Sequence, residues 1–360
     1  MAEWLYEAGI GEARAALVEG GAIVEAAIES DDVGLRVGTV ARVRLIDRAT
    51  GLVRFDDGAE ALLARAAPGV TQGATLTVAV TREAVAEPGR VKLAKAVPSG
   101  EPPVAGPDLL ARLHELQAID LAPAPPGSTL PRRKPGLSPT LGPAHRLSPG
   151  RGSLDDIGVS PIPICHLAAH QPDALEAAGW SELLEEARTG DIAFDGGMVR
   201  MWPTPAMTLF DIDGSGPLDQ LAIRAAVAVA RAIRRHGIGG SIGIDFPTLG
   251  GKAPRQAVAD AFDAAMAWAG APAFERTTVN GFGFLQLVRP RPRMSLPERW
   301  RADPAGAAAR AVLRRLEREP PGAPLDHRFP PVVRSKLRAR PDWLAELARR
   351  TGVTHRLESE

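Results

Sequence analysis

Several residue types that mark particular protein classes are scarce in this 360-residue sequence. It has a single cysteine, Cys165, which excludes an intramolecular disulfide and any zinc site built from several cysteines. Aromatic residues make up 4% of the chain, and 43 basic residues balance 43 acidic ones, so no overall charge points to a polyanionic partner. There is no apolar run of about 18 residues and no basic leader, so we expect no membrane association. This composition predicts a cytoplasmic protein.

Proline, by contrast, is plentiful and unevenly spread. Fourteen of the 33 prolines fall between Pro98 and Pro163, where they resist both helix and sheet. This segment predicts a linker over 98–163, interrupted by one short helix over 108–119. The hydrophobic content of 45% and the charged content of 24% are ordinary for globular domains on either side of it.

The sequence before the linker predicts β structure. Two short strands flank the Gly20-Gly21 turn. Five more follow, separated by glycine and proline turns, and are predicted over 36–46, 51–55, 59–63, 74–81 and 90–97. Five strands at this spacing favour a small closed barrel of the OB type, with a plain β module that binds no ligand as the alternative.

The sequence after the linker alternates between strand and helix patterns. The predicted order is a helix, a hairpin, a strand, a helix, a strand, a helix and a strand, over 172–188, 192–201, 207–212, 218–236, 240–246, 253–269 and 282–288. This order predicts an α/β layer whose neighbouring parallel strands are joined by right-handed crossovers. From 289 to 356 the sequence is basic and interrupted by prolines, which suggests a tail.

Carboxylates follow two of the predicted strands. Asp211 and Asp245 are 34 residues apart, the length of one β-α-β unit, so both are expected at the carboxyl ends of neighbouring strands. Two converging carboxylates suit Mg²⁺, and Mn²⁺ can take its place. The structural alternative is that Asp213 or Asp219 caps the next helix and that Asp245 binds a loop.

Other motifs near this point favour different chemistry. The run that starts at Asp211 begins like a calcium loop, but its twelfth position is Ala222, where a glutamate is required. Residues 209–215 also resemble the first motif of haloacid-dehalogenase-type phosphatases, with Asp211 as nucleophile and Asp213 as acid/base. The turn before Lys252 could hold a phosphate, although a simple strand-to-helix turn explains it equally well. Cys165, His166 and His170 are expected to have only local roles.

An ordered series of segments resembles the ribonuclease E/G family. Opening strands end in Ala26-Ala27-Ile28-Glu29-Ser30, and Val37-Gly38-Thr39-Val40 with Phe55-Asp56-Asp57-Gly58 is similar to the family's inserted S1 domain. The most specific matches are Met207-Thr208-Leu209-Phe210-Asp211-Ile212-Asp213 and Gly239-Gly240-Ser241-Ile242-Gly243-Ile244-Asp245-Phe246, with Phe282-Gly283-Phe284 afterwards.

The resemblance implies an α/β fold with a ribonuclease-H-like core over 1–34 and 164–296, an S1-like OB barrel over 35–97, the linker over 98–163 and a basic tail over 297–360. It implies a Mg²⁺-dependent endoribonuclease in which Asp211 and Asp245 hold the metal and Asp213 supports them. Single-stranded RNA would be cut to 5′-phosphate and 3′-hydroxyl ends. Phe55, Lys252 and Arg255 are the expected RNA contacts.

The sequence also departs from that family. The cysteine pair that binds zinc in the family is absent from this sequence, so no zinc and no zinc-linked dimer are expected. Other kinds of oligomer are left open. The linker replaces most of the segment that reads a 5′-monophosphate, which predicts similar cleavage of monophosphorylated and triphosphorylated RNA. Two alternative functions stay open: an RNA-binding protein with little or no catalysis, and the phosphatase.

Overall fold

The chain folds as a mixed α/β protein with a closed five-stranded barrel. The computed structural model describes residues 2–65, 67–87, 89–120, 162–268 and 270–358. Most of the predicted linker lies outside these residues, but its helix is present as α1, Leu109–Asp120. Across the described ranges, no helix combines the length and the apolar composition needed to cross a membrane.

The first three strands form an antiparallel sheet. They are β1 (Ala2–Ala8), β2 (Glu12–Glu19) and β3 (Ala22–Ser30). The turn between β2 and β3 needs Gly20 and Gly21, because both have positive φ angles of 60° and 83°. Leu109 and Leu113 of α1 pack with Trp4 and Leu17 of this sheet.

Five strands then close the barrel, as the turn spacing predicts. They are β4 (Val40–Asp47), β5 (Leu52–Phe55), β6 (Glu60–Leu63), β7 (Thr75–Arg82) and β10 (Ala94–Pro98), in the spatial order β10-β6-β5-β4-β7. The last strand is shorter than the 90–97 predicted, because Arg90–Lys92 (β9) pairs with Val85–Glu87 (β8) in a separate hairpin. Alternate side chains such as Val43, Leu45 and Val53 fill the barrel.

Beyond the linker the chain first returns to the N-terminal sheet. Strand β11 (Ile164–His166) pairs in parallel with β1. The single helix predicted over 172–188 is instead two helices, α2 (Ala174–Ala177) and α3 (Trp180–Thr189), because Gly179 between them has a φ of 98°. Trp180 of α3 packs in the core beneath β1 and β2.

A six-stranded mixed sheet carries the predicted strand-end aspartates. Its elements are β12 (Asp191–Phe194), β13 (Gly197–Pro203), β14 (Thr208–Gly214), α4 (Leu218–Arg235), β15 (Gly240–Asp245), α5 (Lys252–Met266), β16 (Glu275–Arg276) and β17 (Phe284–Arg289). Strands β14 and β15 are parallel, as predicted, but β17 runs antiparallel to β15. The expectation of parallel neighbours was therefore wrong for β17. The chain first runs along β16, then turns and enters β17 from the end of the sheet opposite to the one where β15 begins. Helices α4 and α5 pack on one face only.

The basic C-terminal segment is folded. It contains α6 (Leu296–Ala302), α7 (Pro304–Glu317), β18 (Asp326–Arg328), α8 (Pro331–Arg338), α9 (Pro341–Thr351) and β19 (Arg356–Glu358). Four of the prolines that suggested an interrupted tail stand in the first turns of α6, α7, α8 and α9, where a missing N–H costs nothing; they are Pro297, Pro304, Pro331 and Pro341. Leu313, Leu337 and Trp343 form part of a buried cluster with Ile10 of the N-terminal sheet. This segment is thus a packed unit and not a tail.

Candidate functional site

Asp211 and Asp245 lie directly opposite each other on neighbouring strands. They are register partners in the parallel β14–β15 pair, and neighbouring strands run about 4.8 Å apart. Register partners project from the same face of a sheet. The residues before them, Phe210 and Ile244, are buried on the face that packs against α4 and α5. Both aspartates therefore project from the opposite face, where both are exposed.

The position of Asp211 differs from the prediction in one respect. Asp245 is the last residue of β15, as expected, whereas Asp211 lies within β14. Strand β14 continues beyond it because β13 pairs along its whole length, up to Gly197 opposite Gly214. The carboxylate pair consequently stands on the open face of the sheet, near the end of β15, and not in a crevice beyond both strands.

Asp213 lies on the same face, two residues beyond Asp211 along β14. Its carboxylate is 3.1 Å from the Nη1 atom of Arg200 on β13, and both side chains are more than half exposed. Asp213 does not cap the next helix, since α4 begins after Pro217 without a side-chain cap. The capping role considered for Asp213 is therefore not observed.

Five strands contribute one residue each to a single row across the open face, and the row begins at Asp191 of β12, the register partner of Arg200. Arg200 is the register partner of Asp211, Asp211 of Asp245, and Asp245 of Phe284. The row thus places one cation between two carboxylates, followed by a third carboxylate and an aromatic ring. Sequence reasoning did not single out Arg200, because its place depends on the register of a hairpin that the strand pattern leaves open.

Two exposed aromatic residues flank this row. Trp202 lies two residues from Arg200 on the same face of β13, is 60% exposed, and has the Arg301 guanidinium 5.2 Å from its ring centre. Phe282 is 83% exposed in the loop that leads to Phe284. Exposed rings of this kind offer faces on which bases can stack.

A tight turn holds Phe282 in this exposed position. The side-chain oxygen of Asn280 accepts hydrogen bonds from the backbone N–H groups of Phe282 and Phe284, at 2.9 and 3.0 Å. Gly283 has a φ of 92°, and a Cβ atom there would lie 2.2 Å from the carbonyl oxygen of Phe246. Only glycine fits between the turn and the strand end that carries Asp245.

The three predicted RNA contacts have different surroundings. Phe55 is 6% exposed and lies in the barrel core, so its ring is not available to stack on a base, and that prediction is wrong in this respect. It is buried because it takes the inward position in the alternation of β5. Lys252 is exposed and Arg255 half-buried in the first turn of α5, the helix that follows β15. Both remain candidate phosphate contacts.

The donor set of the aspartates suits a hard divalent cation. Mg²⁺ is commonly held by one or two carboxylates and completes its shell with water and phosphate oxygens. In the described part of the chain, the aspartates do not form a tight three-ligand group. The group that does, with ligand atoms within 4.8 Å of one another, consists of Glu319, His327 and His355. Two exposed carboxylates on one face could hold such an ion, with water and other oxygens completing its shell.

Comparison with known proteins found no family model that matches this sequence and no significant match among curated proteins.

Proposed function

We propose that this chain is a Mg²⁺-dependent endoribonuclease that cleaves single-stranded RNA, with a ribonuclease-H-like core and an S1-type barrel of the OB class. The observation that carries the proposal is the register of Asp211 with Asp245 on an open sheet face. A pair of exposed, same-facing carboxylates needs no fold rearrangement to bind an ion. The resemblance to the ribonuclease E/G family supplies the reaction class.

Asp211 and Asp245 would hold Mg²⁺ through their carboxylates, and Asp213 would stand beside them. When bound, such an ion supplies an activated water and neutralises charge that develops on the phosphodiester. Arg200 is 58% exposed and lies opposite Asp211, with Asp213 and Asp191 at 3.1 and 3.8 Å. It would contact a phosphate oxygen in exchange for one of these two acids. Attack by water on phosphorus with loss of the 3′-oxygen leaves a 5′-phosphate and a 3′-hydroxyl.

RNA would be held near the site by stacking and by phosphate contacts. Phe282 and Trp202 would stack on bases on either side of the aspartate row. The barrel would contact phosphates and not bases, because its exposed β4 positions include Arg42 and Arg44 while Phe55 points inward.

The first test is cleavage of an unstructured RNA labelled at both ends, with Mg²⁺. We expect cuts at internal sites. Asp211→Asn and Asp245→Asn should each reduce the rate at least about a hundredfold, since metal stabilisation supplies several kcal/mol. Both variants should still bind RNA. Asp260→Asn is the matched control, because Asp260 is an exposed aspartate on α5 and should leave the rate unchanged.

The same assay separates the alternatives. RNA binding by the wild type without cleavage would indicate a non-catalytic RNA-binding protein. Phosphate release from small phosphomonoesters, lost in Asp211→Asn while RNA stays intact, would indicate the phosphatase.

A second test addresses the aromatic residues. Phe282→Ala should weaken RNA binding by about 1–3 kcal/mol, the usual contribution of one stacked base. Phe282→Leu separates stacking from apolar contact, because leucine keeps the apolar bulk and lacks the ring. Equal affinities of Phe282→Ala and the wild type would show that RNA does not contact this loop.

A further inference from the structure

Three segments of the C-terminal unit bring together two histidines and a glutamate. Glu319 follows α7, His327 is the central residue of β18, and His355 precedes β19. The Nε2 atom of His327 is 2.9 Å from Nδ1 of His355 and 3.9 Å from a carboxylate oxygen of Glu319. The parallel pairing of β18 with β19 fixes this meeting, since Asp326 and Arg356 beside the two histidines are register partners.

Two polar atoms of this group are buried and unsatisfied. The side chains of His327 and Glu319 are 10% and 22% exposed. Among the described residues, the Glu319 Oε2 and His355 Nε2 atoms are buried and have no hydrogen-bond partner. A buried carboxylate oxygen without a donor is costly, and a bound cation is one way to remove that cost.

The distances and donor types fit a zinc ion. Zinc binds imidazole nitrogen at about 2.0–2.1 Å, so two ligand atoms on a tetrahedral ion lie about 3.3 Å apart. The observed separations from His327 Nε2, 2.9 and 3.9 Å, lie on either side of this value, and all three ligand atoms lie within 4.8 Å of one another. Side-chain shifts of about an ångström would bring the three atoms to one ion. Imidazole nitrogen suits zinc better than it suits magnesium, and zinc also accepts a carboxylate oxygen.

The surroundings both fix the ligands and leave one side open. The His327 ring stacks on Phe329, with ring centres 5.8 Å apart and an interplanar angle of 14°, which restricts its orientation. Glu319 and His355 line a cavity of about 1170 Å³ that also borders His170 and Arg350. A site with three protein ligands beside a cavity can take water as its fourth ligand.

We propose that Glu319, His327 and His355 bind one zinc ion, whose fourth position opens to this cavity. The ion would tie the end of α7 to β18 and to the connection between α9 and β19. The expectation that zinc is absent rested on the lone cysteine, and this site needs none. The inference is independent of the proposed ribonuclease activity, because the site shares no residue with the aspartate row.

The test is zinc binding by the full chain, purified without a histidine tag and freed of metal with a chelator. After dialysis against zinc, elemental analysis should find about one ion per wild-type chain. His327→Ala and His355→Ala should each weaken binding at least about a hundredfold, more than the loss of a supporting contact would. The matched control is His114→Ala, an exposed histidine on α1, which should bind as the wild type does.

Two further measurements keep the result interpretable. Glu319→Gln retains size and polarity, so a folded variant with weakened binding, checked by circular dichroism, excludes misfolding as the cause. Cobalt in place of zinc should give the visible absorption of a tetrahedral site in the wild type and lose it in His327→Ala. Asp211→Asn should leave zinc binding intact even if RNA cleavage fails. A wild type that binds no zinc, or alanine variants that bind it equally well, would overturn the proposal.

Discussion

Replacement of Arg14 by alanine should lower the stability of the N-terminal sheet more than replacement of any exposed arginine. The Arg14 side chain is 1% exposed, and its Nη2 atom lies 2.5 Å from Glu7 and 2.7 Å from Asp173. Its guanidinium also lies 5.1 Å from the ring centre of Trp180. Arg14 thereby joins β1 and β2 to α2 and α3.

The magnitude follows from which partners would be left unpaired. Removal of one member of a buried ion pair costs about 3–5 kcal/mol, and loss of the contact with Trp180 adds about 1 kcal/mol. Arg318 offsets part of this cost, because it lies 2.7 Å from Glu7 and 3.5 Å from Asp173. We therefore expect Arg14→Ala to lower the free energy of unfolding by about 3 kcal/mol, near the lower end of that range. Burial opposes ionisation of Asp173, yet the nearby Arg14 holds its pKa below the ordinary value.

The assay is native-state hydrogen exchange, read by mass spectrometry on peptides from β1 and β2. The matched control is Arg188→Ala, which breaks an exposed pair with Glu185 and should leave the exchange of these peptides close to that of the wild type. Arg14→Lys should fall between the two, since an ammonium group cannot span both acids in the same way. A loss in Arg14→Ala no larger than that in Arg188→Ala would refute the reasoning.

Two other substitutions test the mixed sheet and its helices. Burial lowers the pKa of His236, although Glu186 lies 3.0 Å away, so the folded chain takes up this proton only at a lower pH than the unfolded chain. The contribution of His236 to the free energy of unfolding is therefore fully present above about pH 6.5. Below that pH the free energy of unfolding falls by up to about 1.4 kcal/mol per pH unit. Urea titrations should find a smaller fall in His236→Gln. Gly283→Ala should lower the melting temperature more than Gly237→Ala, because both have positive φ but only at Gly283 does the new Cβ meet backbone. Equal melting temperatures would contradict the tight turn.

The sequence predicted the elements whose periodicity is strong. The amphipathic pattern over 218–236 predicted α4, which ends one residue earlier at Arg235, and the glycine and proline turns predicted a five-stranded barrel. The spacing of Asp211 and Asp245 predicted neighbouring parallel strands, and the structure has them in register. The helix and the barrel turns are determined by residues close along the chain, and the β14–β15 pair is determined by a single crossover connection.

Features that depend on distant contacts were not predictable in this way. The direction of β17 depends on the path of the chain through β16, which periodicity does not encode. The basic, proline-interrupted sequence suggested a tail, but several of its arginines bind acids in or next to the N-terminal sheet: Arg318 pairs with Glu7 of β1, and Arg340 with Asp31 directly after β3. The cluster of Glu319 with His327 and His355 has no motif spacing, since its members meet only after β18 and β19 pair.

The central claim is that Asp211 and Asp245 share one divalent ion, and crystals grown with Mn²⁺ test it most directly. Anomalous diffraction should locate manganese within about 2–2.3 Å of a carboxylate oxygen from each aspartate, on the open face beside Arg200. An ion bound to only one of the two carboxylates, or none there at saturating Mn²⁺, would contradict the account.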